Sequence, residues 1–119
     1  FCVNNRYLCT LAVSLVLSGC ASDPAPLEQM RLSEKALLQA RAVGATEQLP
    51  AMLTAEQRFA RAQKNMPEHD YKRARMLAEQ AELDARLAEA QVLVAKSQEQ
   101  LNALNTRITR LRKQLGDLQ

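Results

Sequence analysis

Residues 74–95, with the sequence ARMLAEQAELDARLAEAQVLVA, decide the fold of this 119-residue chain. Small apolar residues recur in this stretch at alternating steps of four and three, a heptad pattern that predicts a helix closely packed against another helix. No Gly or Pro interrupts the chain from Tyr71 to Leu115, so we expect one continuous helix of roughly 65–70 Å. The members of this alanine stripe are Ala74, Ala78, Ala81, Ala85, Ala88, Val92 and Ala95.

A second heptad run follows near the C-terminus, in a different register from the alanine stripe. It predicts a coiled-coil-like C-terminus, and two partners are open to it. The run can pack on Leu27, Met30 and Leu37 of the same chain, or it can pair with a second chain. We expect packing within the chain up to about Ile108 and self-association beyond it. Its members are Leu101, Leu104, Ile108, Leu111, Leu115 and Leu118.

Two shorter helices precede the long one. The first spans residues 27–43 and stops at Gly44, and the second runs from near Pro50 to about Asn65. Pro67 breaks that helix, and Asp70 is a natural N-cap for the long helix. We therefore predict an all-α fold, an elongated antiparallel helical hairpin with two short helices in line packed on one long helix. The expected opposed pairs are Ala62 with Ala74, Ala55 with Ala81, Met52 with Ala85, Ala40 with Ala95, and Leu27 and Met30 with Leu104 and Ile108.

The N-terminal segment has the pattern of a bacterial lipoprotein precursor. An apolar run, Tyr7–Leu17, ends in Leu17-Ser18-Gly19-Cys20, and the run is too short to span a bilayer. We expect residues 1–19 to be a signal peptide, cleaved between Gly19 and Cys20. Cys20 then carries a covalent diacylglycerol and an N-acyl chain, with no other cofactor. The alternative is an uncleaved apolar helix or a buried core helix.

Residues 20–26 form the predicted tether between the lipid and the helical domain, residues 27–119. Pro24 and Pro26 favour an extended chain there. Ala21, rather than Asp, follows the lipidated residue, which indicates the outer membrane with the domain on its periplasmic side. In this arrangement the C-terminal end of the long helix would lie near the membrane, and the turn before Tyr71 would point away from it.

Composition argues against catalysis and nucleic-acid binding. The chain has 16 basic and 13 acidic residues, a net charge of +3, and both signs are interleaved along the predicted helices. His69 is the only histidine, and the sequence offers no nucleophile paired with a base and no glycine-rich phosphate loop. We therefore expect a non-enzymatic protein with no bound metal.

Four cations near the C-terminus form the one candidate contact for a partner: Arg107, Arg110, Arg112 and Lys113. They can bind an anionic partner, such as peptidoglycan carboxylates or phosphate headgroups. The simpler interpretation is that they complement the negative end of the helix dipole.

Several segments, taken in their order along the chain, resemble bacterial lipoproteins of the domain-of-unknown-function family 4398, over about Leu27–Leu115. The resemblance implies a cell-envelope lipoprotein with an all-helical domain and no established activity. Some relatives carry, or are encoded near, peptidoglycan-binding domains of the outer-membrane-protein-A type, which suggests peptidoglycan or such a protein as partner. The segments are Glu28-Gln29-Met30, Val43-Gly44-Ala45, Leu49-Pro50, Phe59-Ala60-Arg61-Ala62, Asp70-Tyr71-Lys72-Arg73-Ala74-Arg75 and residues 77–90.

The sequence thus predicts an outer-membrane lipoprotein with a structural or adaptor role in the periplasm. Two alternatives remain: an oligomeric coiled-coil spacer similar to the major murein lipoprotein, and a regulator of an envelope enzyme.

Overall fold

The computed structural model describes residues 22–118, which form three helices and no strand. Helix α1 is Leu27–Val43, α2 is Pro50–Asn65 and α3 is Tyr71–Asp117. The predicted all-α class and elongated shape are confirmed, and α3 ends two residues beyond the expected Leu115. The predicted signal peptide and lipidation site, with Gly19 and Cys20, lie outside the described residues.

Helices α2 and α3 form the predicted antiparallel hairpin. His69 closes the turn between them with φ 59°, and the Asp70 carboxylate accepts a hydrogen bond from the backbone N–H of Arg73 at 3.3 Å. Asp70 is therefore the N-cap of α3, as predicted. Further along the hairpin, Arg58 of α2 forms an ion pair with Asp84 of α3.

The break after α1 is a reversal of the chain. Gly44 has a left-handed backbone, φ 107°. Its N–H bonds to the carbonyl of Arg41, and the N–H of Ala45 bonds to the carbonyl of Ala40, both at 2.9 Å. This pair of hydrogen bonds is a Schellman motif, which ends a helix and turns the chain away from its axis. Ala45 is buried against the core, and this contact fixes the direction in which the chain leaves the turn.

The predicted in-line arrangement of α1 and α2 is therefore wrong, because α1 lies beside α2 rather than beyond its end. Arg41 of α1 forms an ion pair with Glu56 of α2 at 2.7 Å. The buried Ser33 hydroxyl of α1 lies 2.7 Å from the carbonyl oxygen of Ala78 on α3. The three helices form an up-down-up bundle, in which α1 is parallel to α3 and α2 is antiparallel to both.

The pairs predicted for α1 are wrong, because its residues have other partners in the bundle. Met30 packs against Ala62, Leu77 and Ala78, not against Leu104 and Ile108. Ala40 belongs to the cluster around Met52, Ala85 and Ala88, whereas its predicted partner Ala95 is exposed. For α2, Ala62 lies near the start of the α3 interface and Met52 near Ala85, which agrees with the predicted antiparallel order.

The core of the bundle is thin because most of its residues are alanines. Small side chains allow the three helix axes to approach closely, near the lower end of the ~8–10 Å range for helix pairs. Met52 is the largest side chain that is fully buried. The buried apolar residues are Ala36, Leu37, Ala40, Ala45, Met52, Ala55, Ala62, Ala74, Leu77, Ala78, Ala81, Ala85 and Ala88.

Helix α3 continues past the bundle without a partner in the described residues. From Leu93 to Leu118 every residue is exposed. The expected packing of the C-terminal heptads on α1 is therefore wrong. We name residues 97–117 the arm; at 1.5 Å per residue it is roughly 30 Å long. The reversal at Gly44 places the start of α1 beside the turn at His69, so the tether and the arm leave the bundle at opposite ends.

Candidate interaction surface

Among residues 22–118, no group of acidic, His or Cys side chains is arranged to hold a metal ion. None of the helices there has the length and apolar character that crossing a bilayer requires. The cleft between α1 and α2, lined by Leu37, Arg41 and Phe59 among others, encloses ≈ 190 Å³. That volume is below the roughly 300–1,000 Å³ of small-molecule sites. Two larger hollows of ≈ 460 Å³, one beside Asn105 and Thr109 on the arm and one beside Thr46 and Glu47, are open to solvent. The functional candidates among the described residues are therefore surfaces.

The largest such surface is an apolar stripe that follows α3 from the bundle to the end of the arm. Its residues recur at steps of four and three, which keeps them on one side of the helix. Gln80 and Ser97 occupy the two polar positions of this register. We name the apolar members the leucine stripe, and all of them are exposed: Met76, Leu83, Leu87, Ala90, Val94, Leu101, Leu104, Ile108, Leu111, Leu115 and Leu118.

Only the arm portion of this stripe was predicted from the sequence. Its first five members lie on the back of the bundle, in the same residues that carry the alanine stripe. At about 100° per residue, the two stripes occupy opposite sides of α3. The alanine side is buried under α1 and α2, and the leucine side faces solvent. Continuing the heptad register backwards from Leu101 would have found it.

The four C-terminal cations are not brought together on one face. Arg107 and Arg112 flank the leucine stripe on either side, while Arg110 and Lys113 lie on the opposite side of the arm. Within residues 22–118 none of the four forms an ion pair, and all four are exposed. The last turn of α3 contains no basic residue. Because the dipole effect fades within one turn, it does not account well for these cations.

Polar contacts hold α1 against α3. The Ser33 hydroxyl is fully buried and lies within hydrogen-bonding distance of two carbonyls, that of Gln29 at 2.8 Å and that of Ala78 at 2.7 Å. Ser33 is a small residue whose role was not predicted, because nothing in the α1 pattern marks it as buried. The last contact is at the end of α1, where the Lys96 ammonium donates to the carbonyl of Val43 at 2.5 Å.

One carboxylate couples the two helices electrostatically. Arg86 donates to Glu82 Oε1 at 2.6 Å, and the Gln29 amide donates to Glu82 Oε2 at 2.8 Å. These hydrogen bonds, that of Arg86 foremost, lower the pKa of the Glu82 carboxyl below its ordinary value of 4.5.

The fold and surface together define a class: a slender three-helix bundle that extends one helix as an exposed, heptad-patterned arm. The chain belongs to the family described as Domain of unknown function (DUF4398), whose model matches residues 28–104.

A solved structure supports the same assignment. The chain is similar to a DUF4398 family protein from Pseudomonas aeruginosa PAO1, at 57% sequence identity and a TM-score of 0.79. The match covers 81% of this chain and 100% of that one. No protein with a curated description matches this chain significantly.

Proposed function

We propose that this protein is a cell-envelope lipoprotein, anchored to the outer membrane through Cys20 and serving a non-enzymatic structural or adaptor role in the periplasm. One observation carries the proposal: Leu17-Ser18-Gly19-Cys20 follows an apolar run. A proline-containing tether then separates Cys20 from Leu27, the first residue of α1. The lipid on Cys20 would hold the start of α1 close to the membrane surface.

The bundle geometry supports an adaptor that projects from its anchor. The start of α1 and the turn at His69 share one end of the bundle, and the arm leaves at the other. A single anchored copy standing upright would therefore carry the arm away from the membrane, with its tip on the order of 70 Å from the anchored end. This orientation is the reverse of the one expected from an in-line hairpin.

The side of the arm that carries Arg110 and Lys113 is the proposed contact for an anionic envelope component, such as peptidoglycan. Both cations are exposed, and they are one turn apart, so they present a single positive face. Arg107 and Arg112 flank the leucine stripe instead. An outer-membrane-protein-A-like protein is the alternative occupant of the positive face.

Metabolic labelling with a radioactive fatty acid tests the anchor. The wild-type chain and a Cys9→Ala variant, which alters a cysteine of the predicted signal peptide, should incorporate label equally. Cys20→Ala should incorporate none and should not fractionate with membranes. Equal labelling of Cys20→Ala and wild type contradicts the lipoprotein proposal.

A second substitution tests which of the two membranes holds the protein. Ala21→Asp should keep the lipid label but move the protein from outer-membrane to inner-membrane fractions on a density gradient. Ala25→Asp, a matched change further along the tether, should leave the distribution as in wild type. Inner-membrane fractionation of the wild-type protein itself contradicts outer-membrane placement.

Cosedimentation with purified peptidoglycan sacculi tests the positive face. Arg110→Gln with Lys113→Gln should reduce the bound fraction several-fold, whereas Arg61→Gln with Lys64→Gln, an equal change of charge on α2, should not. Equal binding by both variants and by wild type contradicts a role for this face.

A further inference from the structure

We propose that the leucine stripe is the interface of an antiparallel homodimer, in which each arm lies along the back of the other copy's bundle. The inference does not depend on lipid anchoring, because it concerns only residues of α3 that the bundle leaves exposed. Leu101 is 52% exposed and Leu118 is 83% exposed, and neither has a partner among the described residues.

The period of the stripe specifies the kind of partner. A repeat of 3.5 residues keeps an apolar seam in line only when two helices supercoil around each other. The register continues from Met76 to Leu118, past the point where the bundle ends, and only Gln80 and Ser97 are polar within it. A partner helix of similar length and the same period is therefore required, and α3 of a second copy has both properties.

The size of the stripe is sufficient for a specific dimer. A helix face about 10 Å wide and roughly 57 Å long, from Gln80 to Leu118, covers on the order of 600 Å² on each copy. The total of about 1,200 Å² is at the lower end of the range for specific interfaces. Because the same face is used on both copies, the contact closes on itself with two-fold symmetry and does not propagate into a fibre.

Charges beside the stripe favour the antiparallel orientation. In a parallel, in-register pair, Glu79 would face Asp84 and Arg107 would face Arg112 of the second copy, and both contacts are between like charges. In the antiparallel pair with its two-fold axis near Glu99, Arg112 lies beside Asp84 of the second copy, twice, and Asp84 then has this second cation besides Arg58 of its own chain. The remaining flanking positions then pair a charged residue with an uncharged one, or two uncharged residues.

The same antiparallel register also matches side-chain volumes. Two of its layers combine a large residue with a small one, and none places two polar residues together, so the interface is filled without crowding. The opposed positions between the two copies are Leu87 with Leu111, Val94 with Leu104, Leu101 with Ser97, Ile108 with Ala90, Leu115 with Leu83, and Gln80 with Leu118.

This dimer has a geometric consequence for the tether. The two copies present their α1 starts at opposite ends of the paired helices, roughly 80 Å apart. If both copies carry lipid in one membrane, the dimer lies along the membrane surface rather than standing upright on it.

Site-specific cysteine crosslinking in the full-length chain tests the proposal. Gln98→Cys is next to the two-fold axis, so a short bis-maleimide should link it to the same residue of the second copy. Such a link can form only between chains, and mass spectrometry of the linked peptides separates it from links through Cys2, Cys9 or Cys20.

Ala90→Cys is the matched control, because it too is exposed and leaves the bundle core untouched. In the antiparallel dimer its two copies are about 27 Å apart along the helix, so it should not link to itself. It should link when mixed with an Ile108→Cys variant. Self-linking of Ala90→Cys indicates a parallel dimer and overturns the proposal.

Leu104→Asp provides the independent measurement. The substitution places a charge in the interface but lies outside the bundle, so the α-helical circular dichroism of the bundle should persist. The Gln98→Cys crosslink should fall at least tenfold in this background. A crosslink of unchanged yield, or a wild-type protein that sediments as a monomer at high concentration, overturns the proposal. The lipid anchor is tested independently by the Cys20→Ala labelling experiment, so failure of one proposal can be distinguished from failure of the other.

Discussion

The two halves of α3 share one helix and one heptad period, yet they differ in what their apolar side chains do. In residues 74–92 the alanine stripe is buried, apart from the half-buried Val92, and supports two neighbouring helices. In residues 97–117 the same period is carried by larger side chains, and all of them are exposed. The comparison links the size of the heptad residues to the packing that a helix allows: alanines let the helices of the same chain approach closely, and the larger residues of the arm fit a helix at coiled-coil distance.

The largest expected difference between the halves comes from enlarging an alanine. Ala85→Leu inserts a bulky side chain where three helices meet, and overpacking of this kind costs about 1–3 kcal/mol or more. Ala103→Leu makes the same change on the exposed arm and should alter stability by less than about 0.5 kcal/mol. Thermal unfolding followed by circular dichroism at 222 nm should show a much lower Tm for Ala85→Leu alone. Equal Tm values would contradict a bundle confined to the first half of α3.

The next effect compares two glycines, Gly44 in the left-handed turn after α1 and Gly116 within the helical arm. Gly44→Ala forces a left-handed backbone on alanine at φ 107°, which should cost about 1–2 kcal/mol. Its new methyl group would meet Lys96 Nζ at 3.7 Å, an ordinary contact, so the cost is conformational. Gly116→Ala in the helical arm has open space around it and should add about 0.5–1 kcal/mol of local helix stability. Urea unfolding of both variants measures whether their changes in the free energy of unfolding have opposite signs. Changes of the same sign would refute the assigned turn.

The smallest expected effect is a pH dependence confined to the bundle. The pKa of Glu82 is lowered in the folded chain by its hydrogen bonds to Arg86 and Gln29. Its stabilising contribution is therefore complete above the ordinary value of 4.5, and it is lost as the pH falls through the lower folded pKa. Glu82→Gln should flatten the fall in Tm between pH 6 and 3, whereas Glu99→Gln on the arm should leave it as in wild type. Identical acid profiles for all three proteins would exclude the coupling.

Much of the bundle follows from local sequence signals. The ends of α1 and α2, the N-cap at Asp70 and the length of α3 are set by Gly, Pro and capping residues that act over a few positions. The path of the chain after Gly44 was not predicted, because a glycine stop is compatible with either a kink or a reversal. The reversal depends on two backbone hydrogen bonds and on the burial of Ala45, which are tertiary outcomes.

The candidate surface was predicted only in part, for a different reason. The leucines of the arm are conspicuous, but the register continues into the bundle through Ala90, Ser97 and Gln80, which do not resemble a coiled-coil seam. The sequence also cannot separate an apolar position that is buried from one that faces solvent.

Hydrogen exchange of the full-length chain, measured by mass spectrometry at low and high protein concentration, tests the central claim most directly. Amides in residues 74–92 should be protected at both concentrations, because α1 and α2 cover that half within one chain. Amides of the arm should exchange rapidly at low concentration and become protected at high concentration, as the second copy covers the leucine stripe. Arm amides that are as protected as the bundle in dilute solution, or that exchange rapidly at every concentration, would contradict the account.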